Sequence, residues 1–295
     1  MAEFHYGGQA VMEGVMMRGR KHMATVVRRS NGELVNNTQL VPSLYTGRLR
    51  MVPLVRGITV LIESLALGIK ILTYSANVAL EEEGEKMEGW PVWLVMAFAL
   101  TIAVALFFLT PLFITRLFNV ESTVLFHLIE GAIRLALFIA YLKLISLMSD
   151  IKRVFAYHGA EHKTINTYEA GVPLEVETVK EHNKAHVRCG SSFMFMVLLL
   201  AILIFSLIGR PTLWLMVLSR VVLVPVIAAL GYELVYFTAR HTDNPFVKVL
   251  IAPGLWLQSM TTREPDDGQI EVAIAALNLV LEAEQAEEAP AEAVT

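Results

Sequence analysis

Residues 91–118 read PVWLVMAFALTIAVALFFLTPLFITRLF, and no charged residue interrupts this stretch before Arg116. A helix of about 20 apolar residues is long enough to cross the hydrocarbon core of a bilayer. Hydrophobic residues make up 55% of the chain and charged residues 18%, whereas soluble domains average about 45–50% and about 25%. The sequence therefore predicts an integral membrane protein.

Three more segments are long and apolar enough to span a membrane, and a fourth is shorter. The long segments are residues 122–148, 191–208 and 212–239. Residues 246–260 contain Pro253 followed by glycine, so we expect an interfacial or re-entrant segment there. The sequence predicts an all-α polytopic membrane protein, built as a bundle of about four transmembrane helices.

Residues 51–80 are mostly apolar but carry a polar residue every seven positions, namely Arg56, Glu63, Lys70 and Asn77. Seven residues make about two helix turns, so these side chains form one polar stripe. The pattern is typical of an amphipathic helix that lies in the membrane interface. A fifth span, with its stripe facing the bundle, is the alternative.

The basic residues are concentrated in residues 1–50 and 149–190, and the other two connections are short. Because basic loops stay on the cytoplasmic side, we expect both segments and both termini in the cytoplasm. The single cysteine, Cys189, fits a reducing compartment. The net charge of −4 gives no reason to expect a nucleic-acid partner. Membrane lipids are the expected partners, and a homo-oligomer stays open.

The cytoplasmic segments contain secondary structure of their own. Asn31-Gly32 lies between β-forming residues in 24–41 and predicts a β-hairpin. Residues 150–170 predict a helix that ends at Gly171, and residues 265–284 predict an amphipathic helix. We expect these pieces to form a small cytoplasmic cap.

The predicted organisation has eight parts. In chain order they are the Gly-rich N-terminal segment with its hairpin (1–50), the amphipathic or membrane-embedded helix (51–80), transmembrane helices 1 and 2 (91–148), the cytoplasmic His-rich loop with its helix (149–190), transmembrane helices 3 and 4 (191–239), the interfacial or re-entrant segment (240–264), the amphipathic C-terminal helix (265–284) and a disordered acidic tail (285–295).

The string His158-Gly-Ala-Glu161-His162 has the form H-x-x-E-H, the inverted pattern of zinc proteases. Histidines four residues apart share one face of a helix, so both imidazoles can reach one metal ion. Glu161 is offset by one position and can act as the general base on a metal-bound water. Two solvated histidines with Glu161 as an ion-pair partner are the alternative.

A third ligand has several candidates. Glu169 returns to the face of His162, whereas His186 and Cys189 follow in the same loop with spacing H-x-x-C. Spacing alone does not choose among these three. A basic amphipathic stretch that binds anionic lipid headgroups is the alternative for residues 182–188.

Other polar residues are candidates for a second site. Gln9, Glu13 and Arg18 lie in a glycine-punctuated string, so they line a polar site beside the His-rich loop or belong to a tight turn that caps the bundle. Within the apolar segments, Glu130 and Arg134 have the spacing of a structural ion pair. Glu233 is expected to pair with a cation such as Arg220 or Arg134.

Four strings together resemble the YqhQ-like family, bacterial membrane proteins described as metal-dependent enzymes. The strings are GGQAVMEGVMMRG at 7–19, YHGAEHKTINTYE at 157–169, H-x-RCGSSF at 186–193 and PGLWLQSMTTREPDD at 253–267. The resemblance covers nearly the whole chain. It implies a bacterial inner-membrane protein with a His-based site, and the residues implicated are His158, Glu161, His162, Glu169, His186, Arg188 and Cys189.

The sequence favours a metal-dependent hydrolase that acts at the cytoplasmic membrane face. His158 and His162 would bind a divalent metal, with zinc preferred because the candidate ligands are imidazoles and a thiolate. Arg188 or Lys163 would hold an anionic group of the substrate. The alternative is a non-enzymatic assembly or insertion factor, or a small transporter, with a structural metal site.

Overall fold

The computed structural model describes residues 6–42, 52–79, 89–241 and 244–288. Four strands come first, β1 (Gly7–Val11), β2 (Gly14–Arg18), β3 (His22–Arg28) and β4 (Leu34–Leu40). Helices follow in the order α1 (Val55–Ala79), α2 (Trp90–Val104), a π-helical turn (Ala105–Leu109), α3 (Thr110–Leu117), α4 (Thr123–Ile145), α5 (Ser149–Glu169), α6 (Val176–Glu181), α7 (Gly190–Ile208), α8 (Leu213–Val222), α9 (Val224–Ala239), α10 (Pro245–Thr261) and α11 (Asp267–Glu288).

Three helices of the described chain are long and apolar enough to cross a membrane. They are Trp90–Leu117, which joins α2 to α3 through the π-turn, then α4 and α7. The fourth predicted span is two helices, α8 and α9, bent by 46°. Pro225 lies in the first turn of α9, where it has no N–H to donate and its ring crowds the preceding turn. The described chain therefore has three candidate spans, or four if the bent pair counts as one.

The N-terminal segment forms a four-stranded antiparallel sheet in the order β1-β2-β3-β4. The predicted hairpin is its second half, where Val27 pairs with Val35 and Gly32 has a φ of 88°. The first half, β1 and β2, was not expected. It turns at Glu13, which has a φ of 51°. The chain is thus mostly helical with a small sheet. The sequence predicted an all-α fold with one β-hairpin, whereas the cap contains a four-stranded sheet.

The core of the cap lies between the sheet and two helices. Val15, Met17 and Val26 of the sheet pack against Tyr157 of α5 and against the apolar face of α11. The start of α11 is a capping box, because Asp266 Oδ1 accepts from Gln269 N at 2.8 Å and Gln269 Oε1 accepts from Asp266 N at 3.0 Å. The helix continues to Glu288, four residues beyond the predicted boundary. Residues 289–295 of the predicted tail lie outside the described residues.

Helix α1 connects the bundle to the cap. Its first half lies against α9, where a Cβ on Gly57 would approach Ala229 Cα to 2.8 Å. Its second half packs Leu67 and Ile71 on the sheet. It is not one of the candidate spans found in the described chain.

The polar stripe of α1 is used for tertiary contacts. Arg56 pairs with Glu233 of α9, Glu63 with Arg18 of β2, and Lys70 Nζ donates to Gln39 Oε1 of β4 at 3.1 Å. The polar residues spaced seven positions apart therefore mark tertiary contacts. Of the three contacts named here, one is with the bundle and two are with the sheet.

Helix α10 is continuous through Pro253, although the proline was expected to break the segment. It is absent from the candidate spans of the described chain. Leu257 of α10 packs with Phe195 of α7 and Leu142 of α4. Its last residue, Thr261, lies beside His158. Helix α10 thus brings its C-terminal end to the His-rich region.

Candidate metal centre and adjoining cavity

Helix α5 places His158 and His162 on one face, as the i, i+4 spacing predicts, with ring centres 4.3 Å apart. The helix can lie close to the segment after α10 because Gly159 has no side chain. Arg263 N donates to Phe155 O at 2.8 Å, and a Cβ on Gly159 would lie 2.0 Å from Arg263 O. The HGAEH string therefore contains a packing glycine as well as polar groups.

Both histidines are oriented by backbone carbonyls. His158 Nδ1 lies 2.9 Å from Thr261 O, and His162 Nδ1 lies 2.7 Å from Lys184 O. A carbonyl only accepts hydrogen bonds, so each Nδ1 must be the protonated nitrogen. Each Nε2 is then left as the ligand atom in the neutral ring, an arrangement that is common around metal-binding histidines.

Cys189 completes a group of three ligand atoms. Its Sγ lies 3.2 Å from His158 Nε2 and accepts from Ser191 N at the start of α7. One ligand atom each from His158, His162 and Cys189 lies within 4.8 Å of the other two. Two imidazoles and a thiolate at this spacing match the donor set of a zinc site.

The Cys189 thiolate and the two imidazolium rings stabilise each other's charged forms, whereas the charge of His162 by itself lowers the pKa of His158. Burial alone would raise the pKa of the Cys189 thiol, but hydrogen bonds from His158 and His162 and their positive charge lower it to about 4. Burial would lower the pKa of His162, but the Glu161 carboxylate and the Cys189 thiolate raise it to about 9. The Cys189 thiolate can therefore bind a cation. Binding of a cation to this group would displace the proton from His162.

Glu161 is buried next to this group. Its Oε2 lies 3.4 Å from His162 Nε2, and its side chain packs on β1, where a Cβ on Gly8 would lie 2.7 Å from Glu161 Cγ. Among the described residues Glu161 is outside the ligand group. Its carboxylate is close to the group without belonging to it, as the predicted general base requires.

Two predicted ligands have other partners. Glu169 forms an ion pair with Arg188, and Arg188 also lies 3.1 Å from His186 Nε2. His186 is held from its backbone, since Gln258 Oε1 accepts from His186 N and Gln258 Nε2 donates to His186 O, both at 2.9 Å. Neither Glu169 nor His186 belongs to the ligand group found among the described residues.

Sequence reasoning missed the positioning roles of Gln258 and of the Thr261 and Lys184 carbonyls. The only available signal was the string QSMT at 258–261, part of the fourth string of the family resemblance. Backbone carbonyls leave no trace in residue types, so their role could only be found in three dimensions.

A cavity of 610 Å³ adjoins the metal-ligand group. His158, Glu161, His162 and Cys189 line it together with Arg188, and β1, α1, α7 and α9 form the remaining walls. Its volume is typical of a binding site for a small molecule. The predicted catalytic residues Glu161 and Arg188 therefore both line one partly open cavity.

The predicted second polar site is only partly assembled. Gln9 lines the cavity, but Glu13 pairs with Arg153 of α5 and Arg18 with Glu63 of α1. Lys163 Nζ is directed away, towards Glu264 and Lys180 O. Of the four residues named from the sequence, only Gln9 lies among those that line the cavity.

The intramembrane charges form a separate cluster around Glu130. Its carboxylate accepts from Arg134 NH2 at 2.8 Å, from Arg220 NH2 at 2.7 Å, and lies 3.0 Å from His127 Nδ1. Arg134 Nε also donates to Phe107 O in the π-turn at 2.9 Å. The expected pairing of Glu233 with Arg220 or Arg134 is wrong, because Glu233 pairs with Arg56.

Gly159→Ala is expected to destabilise the cap by about 1–3 kcal/mol, the usual cost of overpacking, although alanine favours a helix interior. The new Cβ would displace the Arg263 carbonyl, and with it Thr261, which orients His158. Thermal unfolding in detergent and metal content measure both effects. Gly190→Ala is the matched control, since no heavy atom lies within 4 Å of its built Cβ. A Gly159→Ala protein as stable as the Gly190→Ala protein would contradict this packing.

The candidate site lies in the region that this chain shares with known proteins. A family model described as "Protein of unknown function (DUF1385)" matches residues 52–283. The chain belongs to this family. "Uncharacterized protein YqhQ" of Bacillus subtilis (strain 168) is 37% identical over 299 residues, covering 95% of this chain and 93% of that protein. No solved structure matches. The DUF1385 region includes α5, Cys189 and α10, so all three ligand residues lie within it.

Proposed function

We propose that the protein is a membrane-integral zinc-dependent hydrolase centred on His158, His162 and Cys189. The observation that supports this most directly is the group of three ligand atoms, within 4.8 Å of one another, on the wall of a cavity. Catalytic zinc sites use three protein ligands and leave a fourth position for water or substrate. Imidazole and thiolate ligands favour zinc over magnesium or calcium.

In this proposal, His158, His162 and Cys189 would hold a zinc ion, which would supply Lewis acidity and lower the pKa of a water molecule towards neutrality. Glu161 would accept a proton from the attacking water and pass it to the leaving group as the bond between that group and the substrate carbon or phosphorus breaks. Arg188 on the cavity wall would hold an anionic part of the substrate.

We also propose that the site faces the cytoplasm of a bacterial cell, with the protein in the inner membrane. The support is the concentration of basic residues in residues 1–50 and 149–190. The ligand residues lie at the end of the second of these segments and in its helix α5. With the N-terminal sheet packed against α5 and α11, both termini would be cytoplasmic.

There are two alternative functions, a non-enzymatic assembly or insertion factor and a small transporter. An assembly or insertion factor would hold zinc with four protein ligands and no open position. A transporter would depend on Glu130, Arg134, Arg220 and Glu233. The packing of Glu130 between two arginines and of Glu233 against Arg56 is explained by structural ion pairs, and no contact in the described part of the chain favours transport.

Full-length protein purified in detergent without chelators is expected to contain about one zinc ion per chain, by analogy with three-ligand zinc sites. The His158→Ala/His162→Ala protein should contain none after reloading with zinc. Elemental mass spectrometry measures both. His182→Ala is the control, because His182 Nδ1 lies 3.0 Å from the Thr178 carbonyl of its own helix turn and outside the ligand group. Absence of metal in the reloaded parent protein would overturn the proposal.

A further inference from the structure

The cavity beside the ligand group is bounded by membrane helices on one side. Gly190, Ser191, Phe193 and Met194 of its wall belong to the first turns of α7, which is a candidate span. The cavity therefore lies at the level where this span begins, which is the boundary between the bilayer and water.

The neighbouring end of α9 has the residues of a membrane interface. Tyr232 lines the cavity, and one helix turn later the ring of Tyr236 is contacted by two guanidinium groups. Arg56 Cζ and Arg240 Cζ each lie 4.0 Å from its centre. Tyrosine and arginine are enriched at the level of the lipid headgroups. This is a second indication, independent of α7, that the cavity opens at headgroup depth.

The cavity wall contains both polar and apolar residues. The ligand group, Glu161 and Arg188 contribute polar groups, whereas Val60 and Leu61 of α1, Phe193 of α7 and Val235 of α9 contribute apolar side chains. The outward face of α1 is also apolar, with Ile62 60% exposed. An apolar face of this kind is covered by lipid when the helix lies in the interface.

We propose that the cavity binds a phospholipid of the surrounding leaflet, with an acyl chain against α1 and α9 and its ester or phosphate linkage beside the ligand group. This inference rests on the proposed hydrolase and names its substrate class. A phospholipid fits both kinds of residue in the wall, because its ester or phosphate linkage is polar and its acyl chain is apolar.

Leu61→Trp should block this site, because the larger side chain fills the apolar wall, whereas Ile62→Trp adds the same indole to the outward face. Each full-length protein is incubated with phosphatidylethanolamine/phosphatidylglycerol vesicles, extracted in detergent and stripped of loosely bound lipid. Native mass spectrometry then counts retained phospholipid. We expect at least about tenfold less retention in Leu61→Trp than in the parent, equal to about 1.4 kcal/mol of binding free energy, and parent-like retention in Ile62→Trp.

Zinc content is measured on the same samples, and Val235→Trp on α9, which also lines the cavity, repeats the block independently. Unchanged lipid retention in Leu61→Trp and Val235→Trp, or no retained lipid in the parent, would overturn the lipid site. Equal loss in Ile62→Trp would also overturn it. If zinc is missing from every protein, the hydrolase fails, while the comparison of Leu61→Trp with Ile62→Trp still decides whether the cavity binds lipid.

Discussion

Replacing Glu130 with glutamine is expected to lower the free energy of unfolding by about 3–5 kcal/mol, the usual cost of removing one partner from a buried ion pair. Glu130, Arg134 and Arg220 are at most 1% exposed, and both guanidinium groups donate to this one carboxylate. Glutamine keeps the shape of the side chain but not its charge. Two arginine charges would then be left inside the bundle without their counter-ion.

The midpoint of unfolding in mixed detergent micelles measures this effect, and the yield of folded protein gives a second readout. Glu233→Gln is the matched control, because it removes the same charge from a pair that is about one-fifth exposed on each side. Exposed or partly exposed pairs contribute about 1 kcal/mol or less. If Glu130→Gln and Glu233→Gln proteins unfold at the same midpoint, the buried cluster is not what stabilises the bundle.

Half of the Glu130 cluster could be predicted from the sequence. The i, i+4 spacing brings Glu130 and Arg134 together on any helix, and the structure has this pair. The contact with Arg220 depends on how α8 packs against α4, which spacing along one helix cannot reveal. The contact of Arg134 with Phe107 O is also tertiary. The free carbonyl itself has a local cause, because its helical donor would be residue 111, and Pro111 has no N–H.

The ligand group shows the same division between local and tertiary information. His158 and His162 follow from helix periodicity, whereas the choice among Glu169, His186 and Cys189 required the loop conformation. Helix geometry does exclude one candidate in retrospect. A rise of about 1.5 Å per residue puts Glu169 about 10 Å along the axis from His162, too far to share one ion with His158.

In the fold, the elements with strong local sequence signals were predicted and those with weak signals were not. The Asn31-Gly32 turn identified β3 and β4, but β1 and β2 are five residues each and turn at a non-glycine residue with positive φ. Helix α1 was predicted, with its polar stripe either in the membrane interface or facing the bundle, but the partners of the stripe were not. Its partners come from α9, β2 and β4, elements that are distant in sequence.

Replacing Cys189 with serine is expected to lower the affinity for zinc by more than about 100-fold. Residues that only orient a ligand contribute about 10–100-fold, so loss of one of three ligands must cost more. Serine is nearly the same size but offers a hydroxyl that stays protonated at neutral pH. Glu161→Gln, by contrast, should leave the affinity for zinc almost unchanged and slow hydrolysis by about 10²–10⁴-fold, the usual contribution of general-base catalysis.

Competition with a chromogenic chelator measures the zinc affinity of the parent, Cys189→Ser and Glu161→Gln proteins. Alkylation of Cys189, the only cysteine in the chain, gives an independent readout, because bound zinc should protect the thiol in the parent and in Glu161→Gln. If Cys189→Ser binds zinc as tightly as the parent, the thiolate is not a ligand. If Glu161→Gln loses zinc instead, Glu161 is a fourth ligand.

The cobalt-substituted protein separates an enzyme from a structural site, because an open coordination position changes its visible spectrum when azide is added. A three-ligand site should respond to azide in the parent and in Glu161→Gln, and should lose its sulfur-to-cobalt band in Cys189→Ser. A four-ligand structural site would show the sulfur band but no response to azide. That result would contradict the proposed hydrolase function but not the fold or the assignment of the ligands. The reacting water needs the coordination position that a fourth ligand would occupy.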